Sequence, residues 1–252
     1  MRKKTYQSGF YEISEKVRSR ESRAQQADKI AYVLKTYGSV PLSTATSFDA
    51  GCSSGVITTD LAPLFKTSIG LDYDEIALKH VTRAADGSPF FLRGDAMRLP
   101  LADNSVEVIV CAQVYEHVPS DVLLIREIHR VLKPGGIVFF SGPNKLFPIE
   151  PHYYLPFLHW LPSTWADRYL KVLGRGDHYY ERSRTLWGLR KLLAKFVIQE
   201  VTPEAMRFSL RRSKFKGLAR LPLAIWRFFL PILPNYNWIL RKPSSASSSV
   251  RS

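Results

Sequence analysis

Three aspartates fall where short apolar runs give way to small residues: Asp49 after Ala45–Phe48, Asp72 after Thr67–Leu71, and Asp95 after Pro89–Gly94. The first opens the segment Asp49-Ala50-Gly51-Cys52-Ser53-Ser54-Gly55, and a helical pattern begins at Val56. Glycine at 51 and 55 permits a tight turn, positive φ and close approach of a ligand to the backbone. The helix behind the turn points its free N–H groups and positive dipole end at that ligand. Strand, glycine-rich turn and helix in that order mark a nucleotide or nucleoside site. Asp72 lies about twenty residues beyond the first glycine, the place for a carboxylate that accepts both ribose hydroxyls. Dinucleotide sites share that device, so the turn must discriminate. A pyrophosphate wants G-x-G-x-x-G with nothing anionic beside it, whereas Asp49 stands just before the first glycine here. That carboxylate repels phosphate and suits a ligand carrying positive charge. Each acid alone could be a helix cap or a turn residue; three at successive strand ends argue for a site.

Histidines supply the candidate bases. His117, in Tyr115-Glu116-His117-Val118, titrates in a suitable range and has Glu116 beside it. A structural histidine at a strand–helix junction is the competing reading. His152 with Tyr153 and Tyr154, and His178 with Tyr179 and Tyr180, are second candidates, either as bases or as walls of an aromatic pocket. His80 and His129 sit in helical patterns and read as surface residues. No histidine or cysteine spacing marks a metal site, and Cys52 and Cys111 read as small buried residues.

The elements that must position these groups alternate. Residues 12–37 read as a broken helix closed by Gly38, with Ile30, Val33, Leu34 and Tyr37 at helical spacing. Strands follow at 45–50, 67–71, 89–93, 105–112 and 137–141, separated by helices at 55–65, 75–83 (capped by Asp74) and 120–132. Lys133-Pro134-Gly135-Gly136 stops the last of these helices. This alternation implies an open parallel sheet with right-handed crossovers, whose ligand lies across the carboxyl ends of the strands. After Gly142 come an aromatic stretch without clean period (143–182), an amphipathic helix (184–196), a sixth strand (197–202) and a seventh (236–241). Between the last two strands, the apolar run 221–233 carries Pro222 and Pro231, with Pro234 just beyond, so it cannot be one long helix. The Ser-rich tail, 244–252, reads as disordered.

The chain has 252 residues, 45% apolar and 12% aromatic, enough for one sizeable core. Two cysteines argue for a reducing compartment. The basic N-terminus has no apolar run behind it, and no stretch of about 18 apolar residues exists, so a cytoplasmic protein is expected. The net charge of +14 fits nucleic acid, an anionic membrane, or a merely solvated basic face. Arg211, Arg212, Lys214, Lys216, Arg220 and Arg227 accompany the apolar run with Trp226, a composition suited to a membrane interface. A hydrophobic lid packed on the core is the alternative.

Four segments resemble the class I S-adenosylmethionine-dependent methyltransferases, closest to the ubiquinone/menaquinone-methyltransferase-like subgroup. They are Phe48-Asp-Ala-Gly-Cys-Ser-Ser-Gly, Gly70-Leu-Asp-Tyr-Asp, Arg93-Gly-Asp-Ala-Met-Arg-Leu-Pro and Glu127-Ile-His-Arg-Val-Leu-Lys-Pro-Gly-Gly. The resemblance implies a Rossmann-like three-layer α/β sandwich, a mostly parallel seven-stranded sheet with an antiparallel last strand, and S-adenosyl-L-methionine as cofactor. Residues 1–40 would be a helical extension and 41–243 the methyltransferase domain, with insertions at 143–182 and 213–234. Asp49, Gly51, Ser53 and Gly55 would hold the methionine end, Asp72 the ribose and Tyr73 the adenine face. Asp95, Ala96 and Met97 would meet the adenine edge, and Gln113 would line the sulfonium side. Ser53 stands where the family often has glycine. The acceptor implied is a small or amphiphilic molecule, such as a lipid-linked, quinone-like or glycan substrate, with contact to an anionic membrane. Two alternatives stand beside it. An RNA or protein methyltransferase is disfavoured because no Asn/Asp-Pro-Pro-Tyr/Phe motif follows the fourth strand. The other is a non-catalytic nucleotide-binding protein of Rossmann type.

Overall fold

The computed structural model of the chain describes residues 19–81 and 88–244. The beginning of the expected N-terminal helix, the end of the helix expected at 75–83 and nearly all of the tail lie outside them. Eight α-helices and seven strands are described: α1 (Arg20–Tyr37), β1 (Thr46–Ala50), α2 (Val56–Leu61), β2 (Thr67–Asp72), α3 (Glu75–Leu78), β3 (Phe90–Arg93), β4 (Val106–Ala112), α4 (Asp121–Val131), β5 (Leu132–Pro143), α5 (Ser163–Val172), α6 (Leu186–Leu192), β6 (Val197–Glu200), α7 (Thr202–Arg211), α8 (Leu223–Phe228) and β7 (Asn235–Arg241). They form one seven-stranded sheet in the order β3-β2-β1-β4-β5-β7-β6. The pairs from β3 through β5 are parallel, and β7 runs antiparallel between β5 and β6. Strand order reverses between β1 and β4, which puts the ligand crevice at their carboxyl ends.

Apolar residues cover both faces. On one, Phe48, Ile109, Cys111, Phe140 and Trp238 pack against Leu124, Ile128 and Val131 of α4 and Leu189 of α6. On the other, Val108, Val110, Phe139 and Ile239 meet Ile30, Val33 and Leu34 of α1, Ile57 and Leu61 of α2, and Ala205 of α7. β4 and β5 are therefore buried on both faces, as a central parallel strand requires.

Several boundaries differ from the sequence reading, each for a local reason. Gly38 closes α1 with extended rather than left-handed backbone, and a Cβ there would come within 2.3 Å of the Leu34 carbonyl oxygen. α3 stops at Leu78 because Lys79, His80 and Val81 turn back to Ile76, Ala77 and Leu78, tightening the last turn. β5 starts at Leu132, five residues early. Val106 pairs with Leu132 and Val108 with Ile137, so Lys133–Gly136 bulge out opposite Glu107, whose carboxylate takes the Lys133 ammonium. α5 and α7 were not foreseen; α5 buries only Ala166 and Leu170, too sparse a stripe to show a period. The prolines of 221–234 do break the run, leaving α8 flanked by short 3-10 turns.

Phe139 is fully buried in β5, paired with Val110 and Ile239. Phe139→Ala is expected to cost about 3–5 kcal/mol of unfolding free energy in urea titration.

Candidate active site

The turn after β1 folds over the end of β2. The amides of Gly51 and Cys52 both donate to the Leu71 carbonyl, at 2.8 and 3.0 Å. Gly51, Ser53 and Gly55 all have left-handed backbone, φ 79°, 53° and 75°. A Cβ at Gly51 would lie 2.7 Å from Val114, and one at Gly55 would lie 2.6 Å from the Phe91 ring. Ser53 thus holds a conformation that glycine adopts at less cost.

The three aspartates stand in a row on neighbouring strands, as β3, β2 and β1 are adjacent in the sheet. Asp49 is 6% exposed and accepts a 2.6 Å hydrogen bond from the Thr58 hydroxyl on α2. Burial pushes its carboxyl up to about 6, against the pull of that bond. Asp72 ends β2 and accepts from the Ser53 amide at 2.6 Å and the Asp74 amide at 2.8 Å, which clamps the turn to β2. Burial raises its carboxyl too, with the two amide bonds opposing. Asp95 accepts from the Met97 amide at 2.6 Å, with Ala96 buried behind it. Tyr73 is 42% exposed, with ring surface available to a planar ligand.

This donor set fits S-adenosylmethionine. An ammonium, a ribose diol and an adenine amine each need an acceptor, and three carboxylates in a line supply them. Asp49 and Asp72 would hold the first two and Asp95 the third. A second phosphate-bearing half would meet Asp49 instead of free amides.

Beyond β4 the chain turns sharply. Gln113 has φ 60°, and its side-chain amide lies 3.4 Å from both the Ser141 hydroxyl and the Asn235 oxygen. His117 and His152, distant in sequence, meet with ring centroids 4.8 Å apart. Glu116, fully buried, presents Oε1 at 3.8 Å from His117 Nε2 and 3.9 Å from His152 Nε2. Glu150 Oε1 holds His152 Nδ1 at 2.7 Å, and Glu181 Oε1 lies 3.9 Å from His117 Nδ1. Burial pushes the Glu116 carboxyl up to about 7, while neighbouring His152 opposes it. Burial would also raise Glu150, but the bonds from His152 and the backbone outweigh it and hold that carboxyl low.

The 143–182 insertion is pinned over this point. Tyr115 donates its hydroxyl to the Pro143 carbonyl at 2.5 Å and accepts from the Arg184 amide, and the Arg182 amide donates to the Glu116 carbonyl. His178 is not brought into the group. It is exposed and bonded to Asp167 at 2.8 Å. Of the outlying histidines, His80 is exposed as expected, whereas His129 is half-buried edge-on to Phe196. Glu150 and Glu181 were missed by sequence reasoning, since acids inside an aperiodic aromatic stretch carry no spacing signal. The sequence shows no metal-ligand spacing, but the fold adds a grouping that spacing could not reveal. Glu116, His117 and His152 together present candidate ligand atoms within 4.8 Å, because the insertion brings back a residue 35 positions away.

Residues 48–140 match a family described as Methyltransferase domain. Over 98 residues the chain is 40% identical to a probable S-adenosylmethionine-dependent methyltransferase of Mycolicibacterium smegmatis, covering 39% of this chain and 38% of that protein. Over 146 residues it is 30% identical to the ubiquinone biosynthesis O-methyltransferase of Thiobacillus denitrificans, covering 56% of this chain and 59% of the relative. The chain thus spans only part of the length of either. A solved S-adenosylmethionine dependent methyltransferase from Mesorhizobium loti shares the fold, with TM-score 0.59 at 19% identity over 88% of this chain and all of that one. The matched segment holds the three aspartates, Gln113, Glu116 and His117, and ends before His152 and the apolar basic run.

Asp49 gives a pH test. Its protonation favours the fold, a contribution complete below about 3.8 and lost as pH rises through about 6. Only the ionised form holds an ammonium. S-adenosylhomocysteine affinity, followed by calorimetry, is expected to rise from pH 5 to 7 and then level, with a proton released on binding near pH 6. Asp49→Asn is expected to stabilise the ligand-free protein at pH 7.5 by about 1–3 kcal/mol and to weaken binding at least tenfold.

Proposed function

For a chain whose residues 48–140 match a methyltransferase domain, we propose S-adenosylmethionine-dependent methyl transfer to a hydroxyl of an amphiphilic, quinone-like or lipid-linked acceptor. The observation that carries the donor half is the row Asp49, Asp72, Asp95 closed by the turn at 51–55. When bound, S-adenosylmethionine supplies an electrophilic methyl group on a sulfonium with a good leaving group. The residues have correspondingly little covalent work. Asp49 and Asp72 fix the cofactor, and the Gln113 side directs its methyl-bearing end toward the Glu116–His117–His152 group. Orientation within a closed site provides much of the rate.

The acceptor class rests on the surface beside that group. Asn144 accepts the Leu146 amide and donates its side-chain N–H groups to the carbonyls of Pro231 and Leu233, which ties residues 231–235 to the end of β5. From there the surface is apolar and unusually open: Phe228 is 78% exposed, Phe215 55% and Ile232 50%. Exposed Arg211, Lys214, Lys216 and Arg220 flank it. Aromatic side chains set among cations suit an anionic lipid surface, from which an amphiphile could enter the site. Among the described residues no helix is long and apolar enough to cross a membrane. The quinone-like chemistry is favoured by the 30% identity to a ubiquinone biosynthesis O-methyltransferase.

Incubation with methyl-labelled S-adenosylmethionine and a detergent-dispersed bacterial lipid extract, RNA or protein discriminates the acceptors. Label is expected in the organic phase; label in RNA or protein instead would replace this reading. In flotation, the protein is expected to rise with vesicles containing phosphatidylglycerol, and a Phe228→Asp/Phe229→Asp variant to stay behind.

A further inference from the structure

We infer that Glu116, His117 and His152 form a binding site for one divalent first-row transition cation. The site rests on its own geometry; its catalytic role below rests on the methyl-transfer reading.

Distances come first. Glu116 Oε1 faces Nε2 of His117 at 3.8 Å and Nε2 of His152 at 3.9 Å. Both exceed a hydrogen bond, which spans about 2.7–3.2 Å. Both are compatible with ligand atoms set at a wide angle on one ion, since metal bonds to imidazole nitrogen and carboxylate oxygen are about 2.0–2.2 Å long. All three ligand atoms lie within 4.8 Å of one another, so a closure of about 1 Å between the most distant pair brings the set onto one ion.

Orientation comes second. His152 Nδ1 is taken by Glu150 Oε1 at 2.7 Å, while the other oxygen of Glu150 is fixed by the amides of His152 and Tyr153, each at 2.7 Å. That fixes the ring with Nε2 toward Glu116. A carboxylate behind a ligating imidazole is the usual outer support of a metal site. Glu181 Oε1 lies on the Nδ1 side of His117 at 3.9 Å, beyond hydrogen-bond distance.

Charge comes third. Glu116 and Glu150 are 0% exposed and Glu181 is 4% exposed. Three carboxylates around two imidazoles make a buried concentration of negative charge, and a divalent cation at their centre offsets it. Two nitrogen donors beside carboxylate favour zinc, manganese, iron or cobalt over magnesium or calcium.

The place assigns the role. Glu116 lies three residues past Gln113, where the acceptor meets the methyl group. The cation orients the acceptor hydroxyl and makes it more acidic. The acceptor O–H then yields its proton to water, the O–CH3 bond forms, and the C–S bond breaks to leave S-adenosylhomocysteine.

The test uses the full chain, stripped with chelator and titrated with Co2+ alone while visible absorption is followed. One Co2+ per chain is expected, with zinc displacing it and magnesium not. Glu116→Gln and His152→Ala are expected to weaken binding at least tenfold, and His178→Ala to leave it unchanged. Far-UV circular dichroism reports whether each variant folds. Should the variants unfold, X-ray absorption of the zinc-loaded wild-type protein is expected to show two imidazole ligands. Absence of stoichiometric Co2+ or zinc binding to the wild type would overturn the site, as would full affinity in folded His152→Ala or a zinc shell without imidazole. S-adenosylhomocysteine binding by the stripped protein is measured in parallel. Cofactor binding without metal binding sinks the cation alone, and metal binding without cofactor binding sinks the methyl-transfer reading alone.

Discussion

A carboxylate buried at the end of the central strand is the constraint to which the crevice answers. Asp49 gives up water and, among the described residues, receives one side-chain hydrogen bond, from Thr58, with the Arg23 charge as further help. Burial of a charge with so little compensation costs stability at neutral pH. A cationic ligand beside Asp49 would offset that cost, in a place set by what surrounds the carboxylate. The turn at 51–55 can lie flat because its glycines take positive φ and because Val114 and Phe91 close in where side chains would stand. Asp72 then reaches back from β2 to the Ser53 amide, so one carboxylate shapes the turn and also faces the ligand space. In the proposed reading, cofactor binding and loop geometry would be coupled through these two acids.

The acceptor side depends on a second set of ties. Tyr115 bridges the end of β5 and the strand of chain before α6, and Asn144 bridges β5 and the apolar basic run. These contacts hold two insertions against the carboxyl edge of the sheet. One brings Glu150, His152 and Glu181 onto Glu116 and His117; the other leaves a broad apolar surface open beside them. In the proposed reading the donor and acceptor halves would meet at Gln113, whose side chain lies against Ser141 of β5 and Asn235 of β7.

The strand ends and the turn that carry the three aspartates were legible in the sequence because their signals are local. Apolar runs mark the strands, and each aspartate lies within two residues of a strand end, where chain order alone places it. Glycine and serine in the turn announce their backbone directly. The acceptor half was less so. His117 and His152 were singled out from residue type, but their meeting depends on a connection of 35 residues with no period. Glu150 and Glu181 become significant only once buried, and burial of an isolated acid leaves no mark in sequence. His178 carries the same His-Tyr-Tyr signal as His152 and lies elsewhere, bonded to Asp167. Residue type suggests chemistry, and only the fold decides which copies share a site.

The central claim is that Asp49, Asp72 and Asp95 select a cationic nucleoside over a dinucleotide. Calorimetric titration of one preparation with S-adenosylhomocysteine and, separately, with NAD at pH 7.5 tests it most directly. One S-adenosylhomocysteine per chain and no heat from NAD is the predicted result. Tighter binding of NAD would contradict the account.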